Sequence, residues 1–131
     1  MYKRDVITWW HLALQKTDIK SCDWQEAVDN CPENTFYFFD PPYRDSFADY
    51  GQGFSDDSLR ELIEFCDKQS CVMLSNRDDN GWFHNECRSL TYEHFDIFYT
   101  AGRRKKTENG YDAKKAREIL LYKKLCGGVE I

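Results

Sequence analysis

The most constraining feature of this sequence is a run of five β-prone residues that stops at two prolines. Residues 35–39 read Thr-Phe-Tyr-Phe-Phe, and Asp40-Pro41-Pro42-Tyr43 follows directly. A strand that is apolar on both faces is typical of the middle of a parallel sheet. Two consecutive prolines remove the backbone donors that a neighbouring strand needs, so the strand has to end there. The run therefore predicts a buried central strand with a polar turn at its carboxyl end.

Strands and helices alternate along the rest of the chain. Ser55 is a good helix N-cap, and Leu59, Leu62, Ile63 and Cys66 share one stripe of the helix that follows. The same patterns predict helices at residues 3–16, 24–30 and 82–90, and strands at 17–22, 35–39, 71–74, 95–99 and 119–122. This alternation predicts an α/β fold of about five strands with a mostly parallel sheet. Asn109-Gly110 is a hairpin signal, so we expect the last two strands to be antiparallel.

The charge of the chain is unevenly distributed. The net charge is −5, which argues against an independent nucleic-acid binder, but residues 103–117 hold seven basic and two acidic side chains. A basic segment on an acidic body can contact phosphates locally, but the plainer interpretation is a solvated hairpin tip, since charge runs usually lie on the surface. No stretch reaches the roughly 18 apolar residues of a membrane span, and no signal-type segment opens the chain. We therefore expect a cytoplasmic protein that does not contact a membrane.

Cysteine and histidine spacing gives no indication of a metal site. None of the six cysteines forms a C-x-x-C pair, and the three histidines have no ligand-like spacing. We expect the cysteines to be buried, reduced thiols.

The chemistry of Asp40-Pro41-Pro42-Tyr43 suits methylation of an exocyclic amine. In open α/β sheets, ligands bind at the carboxyl ends of the strands, where this tetrapeptide stands. The Asp40 carboxylate and a rigidly held proline carbonyl can accept the two hydrogens of an amine, and the Tyr43 ring can stack on an extruded base. The plainer interpretation is a turn that ends a strand and contains an incidental acid.

Several segments resemble the Dam-type family of DNA adenine-N6 methyltransferases. Asp40-Pro41-Pro42-Tyr43 resembles the signature tetrapeptide of amino-group DNA methyltransferases. The similarity spans about residues 7–124. It includes Ser21-Cys22-Asp23-Trp24, residues 47–54, Ser75-Asn76-Arg77-Asp78, Arg103-Arg104, Asn109-Gly110 and Arg117-Glu118-Ile119-Leu120. Trp24 stands where Phe is usual, and Lys105 where Ser is common.

The resemblance implies a site-specific enzyme that transfers a methyl group from S-adenosyl-L-methionine to a flipped adenine in double-stranded DNA, as in restriction-modification. It assigns catalysis to Asp40, Pro41, Pro42 and Tyr43, and cofactor binding to Asp23, Trp24 and Asp40. It assigns nucleic-acid binding to Tyr43, Arg103, Arg104, Lys105 and Asn109. It requires no metal.

Two parts of the family pattern are missing from the sequence. There is no Gly-rich cofactor loop, since Gly51-Gln52-Gly53 precedes no strand-to-helix turn of the phosphate-binding type and lies in the loop beyond the tetrapeptide, and there is no target-recognition domain. The resemblance thus implies a partial Rossmann-like methyltransferase sheet in a single truncated catalytic domain, residues 1–131. Two hypotheses remain: an enzyme half that works with a second chain bearing the Gly-rich loop and the target-recognition domain, or a non-catalytic remnant or interaction module.

The resemblance also implies a gap in the sheet. The family's strand order is 3-2-1-4-5-7-6, and this chain would hold strand 3 at residues 17–22 and strands 4 to 7. The run at residues 36–39 would then have an open edge. A partner chain could supply strands, two copies could pair, or the Ile19 segment could pair with the run directly. We expect direct pairing in a monomer, because the connection between the two segments is long enough for a right-handed crossover.

Overall fold

The computed structural model describes residues 2–44, 54–87, 89–99, 106–107, 110–111 and 114–123. The chain forms two compact units, Met1–Glu33 and Asn34–Ile131. The first unit contains helices α1 (Tyr2–Leu14) and α2 (Trp24–Val28). The second contains helices α3 (Asp56–Lys68) and α4 (Trp82–Glu86) with six strands. These strands are β1 (Tyr37–Phe39), β2 (Val72–Arg77), β3 (Thr91–Tyr99), β4 (Lys106–Thr107), β5 (Gly110–Tyr111) and β6 (Lys114–Tyr122).

In the first unit, α1 confirms the helix predicted at residues 3–16, but the strand predicted at 17–22 is wrong. Residues 17–22 are all described, and none belongs to a strand. The backbone amide of Thr17 bonds back to Leu14, and its hydroxyl donates to Ala13, so the chain is still turning after α1. The Ile19 side chain is 74% exposed, so no apolar contact favours an extended strand here.

The second unit is built on a mixed four-stranded sheet. Its order is β1-β2-β6-β3, the order 4-5-7-6 that the resemblance implies for these segments. β1 and β2 are parallel, whereas β6 is antiparallel to both β2 and β3. The antiparallel final pair is therefore confirmed. The expectation of a mostly parallel sheet of about five strands is not met by the described residues, because β6 inserts antiparallel between β2 and β3.

The aromatic strand lies at the edge of this sheet and not in its middle. β1 pairs with β2, and within the described residues no strand pairs with its other side. The side chains of Phe36 and Phe38 are 55% and 59% exposed. Tyr37 and Phe39 point to the opposite face and pack edge-on against Phe65 of α3. The prediction of a strand buried on both faces is wrong, because the phenylalanine side chains on its other face are more than half exposed.

The core lies between the sheet and α3. The Ser55 hydroxyl accepts a hydrogen bond from the Ser58 amide, which confirms the predicted N-cap. The predicted stripe is buried, and α3 packs against β2. The buried apolar side chains of this unit include Leu59, Leu62, Ile63, Cys66, Val72, Leu74, Phe83, Ile119 and Leu121. This packing fixes the strand ends that carry the polar residues.

Several elements differ in length from the predictions. β2 continues to Arg77, β3 begins at Thr91 and β6 begins at Lys114. These strands are longer than predicted because β6 pairs antiparallel with both β2 and β3. β4 and β5 pair antiparallel, with Lys106 opposite Tyr111, and this confirms a hairpin beside Asn109. Residue 109 itself, and the loop at residues 45–53 with its two glycines, lie outside the described residues.

The cysteines are free but mostly not buried. Of the five in the described residues only Cys66 is buried, and Cys22 is exposed. The expectation of buried thiols is therefore wrong for the other four, which lie at turns, element ends or the start of β2. Burial raises the pKa of the Cys66 thiol to about 12. In the part of the chain that the structure describes, no helix has the length and apolar character needed to cross a membrane.

Candidate active site

The tetrapeptide lies at the carboxyl end of the parallel pair β1 and β2. Phe39, the last residue of β1, is in register with Leu74 of β2. Asp40 follows Phe39 and Ser75 follows Leu74, so the next residue of each strand stands at the same edge. β6 runs antiparallel past this edge, and its Glu118 is in register with Arg77. Three strands thus bring polar side chains to one place, although they are far apart in sequence.

Asp40 is held by the neighbouring strand. The Ser75 hydroxyl donates a hydrogen bond of 2.9 Å to Oδ1 of Asp40. The Asp40 carboxylate is otherwise exposed, and its Oδ2 makes no hydrogen bond within the described residues. One oxygen of the carboxylate is therefore fixed in direction while the other can accept hydrogen bonds from a ligand.

Asn76 connects β2 to the backbone of the tetrapeptide. Its side chain is fully buried, and its Nδ2 lies 3.4 Å from the carbonyl oxygens of both Pro41 and Pro42. Its Oδ1 accepts from the backbone amides of Arg44 at 3.1 Å and Arg77 at 2.9 Å. A buried amide with all its polar atoms used holds the turn rigidly.

Tyr43 is tied to the third strand. Its hydroxyl donates to Oε1 of Glu118 on β6 at 2.9 Å, and both side chains are half-buried. The two residues are 75 positions apart. This contact fixes the far end of the tyrosine ring, while the backbone of the turn fixes the near end.

Arg44 anchors the turn to helix α3. Its guanidinium forms two hydrogen bonds to the Asp56 carboxylate, of 2.8 and 2.9 Å, and lies 4.8 Å from the centre of the Trp82 ring. Hydrogen bonding from Arg44 lowers the pKa of Asp56 below its usual range. A bidentate pair of this kind is directional, so it sets the path of the chain as it leaves the tetrapeptide.

The turn after β2 is fixed by a buried acid, Asp78. Asp78 is 2% exposed, and its carboxylate accepts from the Phe83 amide at 3.1 Å and lies 3.0 Å from Nε2 of His94. Its own amide donates to the Arg117 carbonyl at 2.8 Å. These contacts hold β2, α4, β3 and β6 together beside the tetrapeptide without entering it.

The comparisons with known proteins decide the family. A family model described as D12 class N6 adenine-specific DNA methyltransferase matches residues 1–123, nearly the whole chain. The chain belongs to the D12 class of DNA methyltransferases. No curated protein and no solved structure matches it. The family resemblance read from the tetrapeptide and its surroundings is thereby confirmed.

Membership of the D12 class defines the kind of chemistry. The family consists of enzymes that methylate N6 of adenine in DNA, so DNA is the substrate and a methyl donor is required. Among the residues that the structure describes, no group of three or more histidine, cysteine, aspartate or glutamate side chains could hold a metal ion.

The other residues predicted for the methyltransferase site belong to the first unit or lie outside the described residues. Asp23 and Trp24 belong to the first unit, at the start of α2, where Asp23 is exposed and makes no side-chain hydrogen bond to the helix end. Arg103, Arg104, Lys105 and Asn109 lie outside the described residues.

Three side chains that hold the tetrapeptide were not predicted as site residues. Ser75 and Asn76 were recognised only as part of a strand end, and Glu118 only as part of a late segment. Polar residues directly after an apolar strand could have indicated the first two, because neighbouring parallel strands end at the same edge. Glu118 stands beside apolar Ile119 and Leu120 in β6, and such a charge in a strand usually has a partner.

Proposed function

We propose that this chain is the catalytic half of a site-specific DNA adenine-N6 methyltransferase that uses S-adenosyl-L-methionine and acts on a flipped adenine. One observation carries the proposal. The four residues from Asp40 to Tyr43 follow β1 directly, and side chains of β2 and β6 hold them with an outward-facing carboxylate. A turn that merely ends a strand needs no such supports.

Hydrogen-bond acceptors are the proposed means of activation. The exocyclic amine of adenine becomes nucleophilic when its hydrogens are bound and its lone pair is turned away from the ring. Asp40 offers one unbonded oxygen, and the Pro41 carbonyl has a second lone pair beside its contact with Asn76. Asp40 also stabilises the positive charge that develops on N6 during methylation. Catalysis would consist mainly of positioning plus this charge stabilisation.

Tyr43 is the proposed platform for the flipped base. Enzymes that modify a base in a duplex extrude it and stack it on aromatic side chains. The Tyr43 ring stands three residues after Asp40 and is held through its hydroxyl by Glu118. A base stacked there would have its exocyclic amine near the acceptors.

The residues proposed for the methyl donor are Asp23, Trp24 and Asp40. The Asp23 carboxylate is exposed and is not used to cap α2, so it suits a hydrogen bond to the adenine part of the donor, beside the half-buried ring of Trp24. S-adenosyl-L-methionine supplies a methyl group on a sulfonium, which is electrophilic without a metal. Phosphate contacts are assigned to Arg103, Arg104, Lys105 and Asn109, because the segment 103–117 is basic on an acidic chain.

A second polypeptide is part of the proposal. These 131 residues contain no Gly-rich cofactor loop, and we propose that a second chain supplies it together with target recognition. This absence is also the observation that favours the alternative, a methyltransferase remnant that serves as a non-catalytic interaction module.

Transfer of a labelled methyl group distinguishes the two. The chain is mixed with a candidate polypeptide bearing the Gly-rich half, and incorporation of label into DNA lacking adenine methylation is measured. Asp40→Ala should lower turnover by about two to four orders of magnitude, and Tyr43→Ala by less. Glu64→Ala, on the exposed side of α3, is the control and should leave turnover unchanged. Turnover in Asp40→Ala equal to that of the unmodified chain would refute the catalytic role.

A further inference from the structure

Glu118 is a charged residue of β6 that contacts the tetrapeptide. It lies half-buried in β6 between Arg77 of β2 and Phe95 of β3. Taking a carboxylate partly out of water costs free energy unless a donor compensates it. The Tyr43 hydroxyl at 2.9 Å is such a donor, and it comes from the tetrapeptide at the sheet edge.

We propose that Glu118 is a positioning residue that sets the orientation of the Tyr43 ring for base capture. This inference rests on the proposed function, in which Tyr43 stacks on the flipped adenine. A tyrosine held only at its Cα can rotate about two side-chain bonds. When the hydroxyl is also held, both ends of the ring axis are fixed, so the direction in which the ring extends is set before any base arrives. Prior ordering of a side chain spares its entropy cost at the moment of binding.

The remaining supports of the tetrapeptide do not perform this task. Ser75 acts on the Asp40 carboxylate, and Asn76 acts on backbone groups. Glu118, by contrast, accepts a hydrogen bond from the hydroxyl at the end of the Tyr43 ring. Its removal should therefore affect capture of the base and leave the acceptor geometry at Asp40 in place.

The same sheet contains a matched control pair. The Tyr122 hydroxyl donates to Oε1 of Glu93 at 2.9 Å, between β6 and β3. This pair has the same chemistry and the same length as the Tyr43–Glu118 contact, but neither residue contacts the tetrapeptide in any described hydrogen bond. The control pair is exposed whereas the Tyr43–Glu118 contact is part-buried, so it controls for loss of a tyrosine–carboxylate hydrogen bond in the sheet and not for burial.

The first measurement does not depend on methyl transfer. Urea unfolding is followed for Tyr43→Phe, Glu118→Leu and the double variant. If the hydrogen bond exists in solution, the two substitutions should not add, and the double variant should unfold close to the less stable single variant. Additive losses would show that the contact is absent and would overturn the inference. Tyr43→Phe keeps the ring shape, so it retains the fold even if Glu118→Leu does not.

The second measurement is kcat and KM for DNA in the complemented enzyme. Tyr43→Phe and Glu118→Leu should each lower kcat/KM by about 3- to 10-fold, the range expected for losing one immobilised side chain, and the double variant should be no worse. Glu118→Gln retains an acceptor oxygen and should restore kcat/KM to within about 2-fold. Tyr122→Phe and Glu93→Leu should stay within about 2-fold of the unmodified enzyme.

The outcomes separate this inference from the proposed function. An unmodified enzyme that methylates DNA and is inactivated by Asp40→Ala, but is unaffected by Tyr43→Phe and Glu118→Leu, would overturn the role of Glu118 alone. Equal losses in the control pair would also overturn it, because the effect would then be one of sheet stability. Methylation unaffected by Asp40→Ala would overturn the proposed function and this inference with it.

Discussion

At the scale of single residues, the site depends on contacts that cross between elements. The four anchors come from three elements: Ser75 and Asn76 from β2, Glu118 from β6 and Asp56 from α3. The tetrapeptide itself has two prolines, which restrict its backbone. Rigid backbone and anchored side chains together give the pre-ordered geometry that positioning catalysis requires.

The ion pair between Arg44 and Asp56 leads to a prediction about pH. Because Arg44 lowers the pKa of Asp56 in the folded chain, this carboxyl stabilises the fold above its unfolded pKa of about 4. That stabilisation is lost as the pH falls through the lowered folded value. Asp56→Asn should therefore lower the urea midpoint at pH 7, and the gap to the unmodified chain should narrow as the pH falls below about 4.

A neighbouring carboxylate provides the control for this prediction. Asp57 lies in the same first turn of α3 but pairs with Arg60 and not with Arg44. Asp57→Asn should change the midpoint less than Asp56→Asn, because its side chain is 88% exposed and surface pairs contribute little. A gap between Asp56→Asn and the unmodified chain that stays constant from pH 7 to pH 3 would contradict the assignment.

Some residues of the candidate site could be predicted from the sequence, and others could not. Asp40-Pro41-Pro42-Tyr43 could be recognised because four adjacent residues carry the whole signal. The contact between Tyr43 and Glu118 could not, since it joins positions 75 residues apart and depends on β6 running antiparallel past the end of β2. A sequence pattern indicates chemistry that neighbouring residues carry. The contacts that hold the tetrapeptide arise instead from the order and direction of the strands.

At the scale of elements, periodic segments with strong end signals were predicted well. Helix α3 has both a Ser55 cap and a four-residue apolar stripe, and both are present. Residues 17–22 lack such end signals and show only a weak alternation of apolar and polar residues. They form no strand. The run at residues 35–39 was correctly predicted as a strand but wrongly placed in the middle of the sheet. An apolar face indicates burial only when another element covers it.

The edge position of β1 predicts an alternating pattern of hydrogen exchange. The Tyr37 amide donates to the Cys71 carbonyl at 3.1 Å, so it should be protected. Successive amides of a strand point to opposite sides, so the Phe38 amide points away from β2 and should exchange rapidly in the isolated chain. Exchange is measured residue by residue by NMR.

The same measurement tests whether a second chain adds a strand beside β1. If a partner adds a strand beside β1, the Phe38 amide should become protected on mixing, while the Tyr37 amide changes little. Slow exchange at Phe38 in the isolated, monomeric chain would contradict the edge position. It would instead indicate that another part of this chain pairs with β1.

At the scale of the whole molecule, the residues proposed to bind the substrate amine and those expected to bind the methyl donor differ in how many are present. Both proposed amine acceptors, Asp40 and the Pro41 carbonyl, lie among the described residues, but the sequence contains no Gly-rich loop for the methionine part of the donor. We therefore expect the isolated chain to bind S-adenosyl-L-methionine no more tightly than about 1 mM, since few contacts remain to offset the cost of association. Calorimetric titration of the chain alone is the test, and micromolar affinity would contradict it.

The identity of the methylated base tests the central claim most directly. DNA lacking modified bases is incubated with the complemented enzyme and methyl donor, digested to nucleosides and examined by mass spectrometry. The account predicts that N6-methyladenine is the only new nucleoside, that Asp40→Ala reduces it by at least about 100-fold, and that Glu64→Ala does not change it. Methylated cytosine in place of N6-methyladenine, or undiminished N6-methyladenine from Asp40→Ala, would contradict the claim that Asp40 and its tetrapeptide direct methyl transfer to adenine.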